Sequence, residues 1–186
     1  VKRAYIGSGI RYDLFDDSPY FETVVKNHTS GRLKVAPEHT EEHVLRLMRK
    51  PSFTLFEKIN SDFKRICRRE GINYQIIPYF ISSHPGCTER DMKALSERVL
   101  GKLHFNLEQV QDLTPTPMTL SSVMFYMGEN PYTGEKVYVA RSQDDKRKQK
   151  SYFFGGKLPE AQPKGRADGH KSSRRGPSPY RPNKKR

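Results

Sequence analysis

The chain has 186 residues, with 34 Lys and Arg against 21 Asp and Glu, a formal net charge of +13, two cysteines and no tryptophan. That length admits one ordinary domain with appendages. With no secretory signal and no long apolar run in the sequence, nothing argues for export or membrane spanning, and the cytoplasm is the default expectation.

The charge is unevenly placed. Residues 141–186 hold 15 Lys or Arg and 4 Asp or Glu, whereas residues 1–140 hold 19 and 17. A nearly neutral body with a basic tail is therefore expected. The first residues, Val1 to Ile6, read as the inside of a strand, which suggests a fragment of a longer protein. A strand is predicted over 4–8, ending in Gly7-Ser8-Gly9, followed by a helix over 19–27. A short strand over 33–36 runs into Pro37-Glu38-His39. Thr40 is the expected N-cap of a helix whose apolar face is Val44, Leu47 and Met48, stopped at Lys50-Pro51. Residues 53–70 are the longest predicted helix, with a core stripe of Phe56, Ile59, Phe63 and Ile66. Gly71 fits the left-handed position just past its end.

A strand follows over 74–81 and leads into Ser82-Ser83-His84-Pro85-Gly86. Thr88 and Asp91 have capping-box spacing before a helix whose face is Met92, Leu95 and Val99. Another strand is expected over 107–113, then a rigid Thr114-Pro115-Thr116-Pro117 break. A helix over 119–127 is stopped by Gly128, a turn falls at 130–134, and 136–140 alternates like a strand. From Gly155 onward, Gly and Pro crowd a stretch with few large apolar residues, read as disordered. The expected units are βα repeats over 1–128, an extension over 129–155 and a basic tail over 156–186.

Alternating strands and helices at this spacing imply an α/β fold with parallel strands, and ligands collect at the C-terminal ends of such strands. Four segments after predicted strands are rich in Gly, Pro and polar residues: 7–13, 37–40, 82–88 and 109–117. Cys67 and Cys87 stand 20 residues apart without a CxxC pair. They read as reduced thiols, and no metal ligand set is assigned.

The string Leu33-Lys34-Val35-Ala36-Pro37-Glu38-His39-Thr40, with Val44 to Lys50 after it, resembles a recurrent segment of S-adenosylmethionine radical enzymes. His84-Pro85-Gly86-Cys87-Thr88-Glu89-Arg90-Asp91 resembles their P-G-E-T-x-x-D loop, with Cys87 in place of the acid. Gly7-Ser8-Gly9-Ile10-Arg11-Tyr12-Asp13 and the segment from Gln109 to Thr119 are similar to the YgiQ-like family in particular. The resemblance covers about residues 1–155. It implies the C-terminal part of a partial (β/α) barrel that binds S-adenosylmethionine against a [4Fe-4S] cluster and yields a 5′-deoxyadenosyl radical. The family's CxxxCxxC cluster motif does not occur in this sequence, so the cluster ligands are expected outside it.

Candidate cofactor contacts are Ser8, Arg11, Lys34, Glu38 and His39. Arg11 either pairs with the methionyl carboxylate or forms an ion pair with Asp13, Asp16 or Asp17. Ser8 either bonds the cofactor or satisfies its own turn. Glu38 either accepts from ribose hydroxyls or the ammonium, or complements a helix start. Lys34 points into the barrel or to solvent. Gln109 and Gln111 share parity and would contact the unknown substrate if their face lines the barrel. The other reading is a non-catalytic α/β module that contacts RNA, without sequence specificity, through its basic tail.

Overall fold

The computed structural model describes residues 4–15, 19–105, 107 and 110–154. Gln109, Asp16, Asp17 and the tail from residue 155 lie outside the described residues. Three strands form one parallel sheet in sequential order: β1 (Arg32–Glu38), β2 (Gln75–Ser82) and β3 (Val110–Asp112). Six α-helices accompany them among the described residues: α1 (Pro19–His28), α2 (Glu42–Met48), α3 (Phe53–Glu70), α4 (Glu89–Ser96), α5 (Leu120–Met127) and α6 (Gln143–Phe154). The fold is thus mixed α/β, as expected, and no helix of the described residues is long and apolar enough to cross a membrane.

Burial alternates along the strands. Leu33, Val35 and Pro37 of β1 and Ile76, Pro78, Phe80 and Ser82 of β2 are buried. Leu33, Val35, Ile76 and Phe80 join the apolar faces of α1 to α4 in one core that includes Val24, Val25, Leu45, Phe56, Met92 and Leu95. The opposite face holds Lys34, Ala36, Ile77, Tyr79 and Ile81, all half-buried. A period of two puts every second side chain on that face, so the sheet packs on one side and stays open on the other.

α3 forms where the sequence predicts it. Ser52 caps it by accepting from the Thr54 N–H at 3.2 Å. Phe56, Ile59, Phe63 and Ile66 are buried, and Gly71 ends it at φ 65°. The Thr88–Asp91 capping box is present, with the Thr88 N–H donating to Asp91 at 2.8 Å. Gly86, at φ 87°, is another required glycine. A Cβ there would meet Leu47 Cδ1 at 2.3 Å, so the loop after β2 closes directly onto α2.

Four local expectations differ. Residues 4–8 form no strand; only Ile10 continues the sheet, by a single parallel bridge to Val35. Thr40 is not the N-cap of α2: Glu41 holds that position, and its N–H donates to the His39 ring at 3.0 Å. Residues 137–140 form no strand, since only Lys136 bridges, to Glu129. Finally, α6 is a helix that the apolar pattern does not announce, so part of the basic C-terminal charge sits on ordered structure.

Candidate functional site

β1, β2 and β3 end on the same rim, because parallel strands in sequential order align their C-termini. Two of those ends carry non-glycine residues in the left-handed region: Glu38 at φ 67° and Ser83 at φ 62°. Around Glu38 the His39 N–H donates to the Pro37 carbonyl at 2.8 Å, closing a tight three-residue turn. Such backbone costs about 1–3 kcal/mol and persists where its surroundings hold it.

Glu38 is mostly buried, and burial pushes its carboxyl above the usual range although Lys50 Nζ lies 3.3 Å away and opposes the shift. Lys50 lines a cleft of about 330 Å³ together with Gly9, Arg11, Tyr12, Ala36 and Arg49. Arg11 and Glu38 therefore sit at one end of the sheet, linked across the cleft wall by Lys50. Arg11 itself is exposed and pairs with Asp13. The Asp13 hydrogen bond raises the guanidinium and lowers the carboxyl from their ordinary values. Tyr12 is 2% exposed, and its hydroxyl has no hydrogen-bond partner among the described residues. Burial pushes that phenol up to about 12.

The remaining candidates separate. Lys34 lies on the open face, where its Nζ donates to the Gly7 carbonyl at 3.4 Å. Ser8 is exposed. Gln111 is exposed and pairs in register with Ile81, which puts it on the open face with Tyr79 and Lys34. His39 turns the other way. It is fully enclosed, with Nε2 3.3 Å from the Cys87 sulfur. The Glu41 N–H donates to its Nδ1, so the neutral ring carries its proton on Nε2 and donates to Cys87. Burial pushes His39 down to about 3 and the Cys87 thiol up to about 12. Cys67 is buried in α3, and burial raises its thiol as well.

The loop after β2 has an unannounced keeper. Gln149 of α6 accepts from the Ser83 N–H at 2.8 Å and donates to the Cys87 carbonyl at 3.0 Å. His84, which the sequence leaves as an ordinary loop histidine, is buried; its Nδ1 donates to the Pro85 carbonyl and its Nε2 accepts from Ser121, both at 2.8 Å. Tyr12 and Lys50 were also unassigned in the sequence. The signal for Tyr12 was present, since it lies inside the Gly7–Asp13 string; Lys50 was legible only as a helix stop.

Residues 108–154, from just before β3 to the end of α6, match a family model described as a domain of unknown function, DUF3362. The chain is also similar to proteins named UPF0313. One, from Bacteroides thetaiotaomicron, is 49% identical over 165 residues, covering 83% of this chain and 26% of that protein. Another, from Porphyromonas gingivalis, is 48% identical over 172 residues, covering 87% and 27%. A third, from Methanocella arvoryzae, is 49% identical over 148 residues, covering 79% and 24%. The chain thus spans about a quarter of the length of these relatives. These family names state no reaction. The DUF3362 segment supplies α6 and its Gln149, and with them the clamp on the loop after β2.

Proposed function

We propose that this chain is the C-terminal part of a radical S-adenosylmethionine enzyme, with β1 to β3 as a sector of its partial (β/α) barrel. A sequential parallel sheet with one packed face and one open face supports that reading, since a doubly wound sheet is covered on both. The observation that carries it is the strained, mostly buried Glu38 near Arg11 and a Tyr12 hydroxyl that has no partner among the described residues.

These groups fit the cofactor's polar end. Arg11 can exchange Asp13 for a carboxylate in a bidentate pair. Glu38 accepts from hydroxyl or ammonium donors, and Tyr12 offers an unused hydrogen bond. Lys34 and Gln111 project from the open face toward the barrel interior, Lys34 near the cofactor and Gln111 toward the substrate. His39 acts at one remove, by fixing the turn that aims Glu38. When bound and reduced at a [4Fe-4S] cluster, S-adenosylmethionine supplies a 5′-deoxyadenosyl radical for hydrogen abstraction, and the protein contributes orientation and electrostatics. Cys67 and Cys87 do not fit as cluster ligands, because both are buried and the Cys87 sulfur is engaged by His39. In this proposal the cluster is held by cysteines elsewhere in the longer polypeptide.

The test is to read the parent gene upstream of Val1 for a CxxxCxxC motif. The longer protein is then reconstituted anaerobically with iron and sulfide, and 5′-deoxyadenosine is assayed after dithionite reduction. Reductive release of 5′-deoxyadenosine supports the reading. A cluster-free longer protein without the cysteine motif would refute it.

A further inference from the structure

Lys50 stands where two carboxylates compete for it. Its backbone is fixed without help from its side chain. Arg49, at φ 55°, ends α2; its N–H donates to the Arg46 carbonyl at 3.1 Å, and the Lys50 N–H donates to the Leu45 carbonyl at 2.9 Å. Those two bonds form a Schellman end, and Pro51 follows directly. The ammonium is thereby delivered to the cleft wall, 3.3 Å from Glu38 and on the same lining as Arg11, Tyr12 and Asp13.

The charges around this cleft are already paired. Arg11 forks onto Asp13, with Nε donating at 3.2 Å. Arg49 lies over the Tyr132 ring, 4.8 Å from its centre. Glu42, the nearby acid of α2, accepts from the Ser52 hydroxyl at 2.6 Å and the Phe53 N–H at 3.3 Å, so it does not compete for Lys50. Lys50 acts on both remaining acids. Its charge opposes the effect of burial on Glu38, and it adds to the Arg11 hydrogen bond in holding Asp13 low.

A ligand carboxylate that takes Arg11 would leave Asp13 without its partner, beside a new negative charge. Two carboxylates so placed do not both stay ionised unless a second cation serves one of them. Lys50 is that cation. We propose that Lys50 is a positioning residue that exchanges counter-ions when a carboxylate-bearing ligand enters the cleft. Arg11 passes from Asp13 to the ligand carboxylate, Asp13 passes to Lys50, and Glu38 is released to accept from the ligand's N–H or O–H donors. Every charge is partnered before and after. The exchange rests on the reading of this rim as an S-adenosylmethionine site, and it adds what that reading lacks, a destination for Asp13.

Two ligands separate the exchange from general packing: S-adenosylmethionine, and 5′-deoxy-5′-methylthioadenosine, which lacks the amino-acid end. Their equilibrium affinities are measured on the longer, cluster-reconstituted protein and its variants. Lys50→Met should weaken S-adenosylmethionine about tenfold, the scale of one partly buried charged contact, and leave methylthioadenosine unchanged. Lys50→Arg should recover most of the loss. Asp13→Asn frees Arg11 and should tighten S-adenosylmethionine binding, and in that background Lys50→Met should cost clearly less than in the parent. A second readout needs no cofactor. In the 186-residue chain, carboxyl carbon NMR should show both Asp13 and Glu38 titrating at higher pH in Lys50→Met than in the parent. Additive effects of Lys50→Met and Asp13→Asn overturn the exchange, as does an equal loss for both ligands or an unmoved pair of carboxyl titrations. If the parent binds S-adenosylmethionine and the variants behave additively, the exchange alone falls; if the parent does not bind it, the reading of the rim falls and the exchange with it.

Discussion

His39 and Cys87, 48 residues apart in sequence, meet in the core with the imidazole Nε2 3.3 Å from the sulfur. The contact ties the turn at the end of β1 to the loop at the end of β2. It also fixes the ring's protonation, since the Glu41 N–H already occupies Nδ1. A second proton on Nδ1 would face that N–H.

That geometry sets a pH dependence. The folded His39 lies at about 3 against an ordinary 6.5, because burial disfavours its charged form. The unfolded chain therefore takes up a proton that the folded chain refuses. The contribution is complete above pH 6.5 and is lost as the pH falls toward 3, by at most about 1.4 kcal/mol per unit. His84 is also lowered by burial and acts in the same sense. Urea unfolding at pH 7 and pH 5 should show about 2 kcal/mol less stability at the lower pH from His39 alone. In His39→Asn the difference should shrink by that amount; an unchanged difference would contradict the assignment.

Gln149 offers a second test. Replacing it with Leu keeps the bulk but strands the buried Ser83 N–H and Cys87 carbonyl. Each lost partner costs about 1–3 kcal/mol. A loss on the order of 3 kcal/mol is expected in equilibrium unfolding, and a change within experimental error would show that the loop does not depend on α6.

The backbone at Glu38 separates strain from side-chain chemistry. Glu38→Gly and Glu38→Ala both remove the carboxylate and its Lys50 partner, but only glycine accepts φ 67° freely. The glycine variant should be more stable than the alanine variant by about 1 kcal/mol, the reverse of the usual order outside turns. If alanine proves the more stable, the left-handed backbone is not held as described.

Much of this was legible in the sequence where local signals agreed. The α3 stripe and the Gly71 stop point to one helix, and the Thr88–Asp91 box marks the start of α4. The signal fails where one side chain overrides a local rule. Thr40 has capping chemistry, yet the His39 ring receives the Glu41 N–H instead. α6 packs apolar side chains on the core only in its last turn, Tyr152 to Phe154, and its middle is held by the buried amide of Gln149, so no apolar period runs along it. Ile10 joins the sheet through one bridge, too little for residues 4–8 to become a strand. At the site, Arg11 lies near the end of β1 through the single Ile10–Val35 bridge and not through the strand expected over 4–8. The inward turn of His39 depends on a γ-like backbone that no pattern of residue types announces.

The proposed binding of S-adenosylmethionine at the β1 rim is tested most directly by its equilibrium affinity in the longer, cluster-reconstituted protein. Arg11→Ala and Glu38→Ala should each weaken binding roughly thirtyfold, as expected for losing a charged contact of about 2 kcal/mol. The iron–sulfur absorbance should stay intact, because neither residue is proposed as an iron ligand. Gln111→Ala should leave cofactor affinity near that of the parent and reduce turnover. Unchanged affinity in both Arg11→Ala and Glu38→Ala, with folding preserved, would contradict the account.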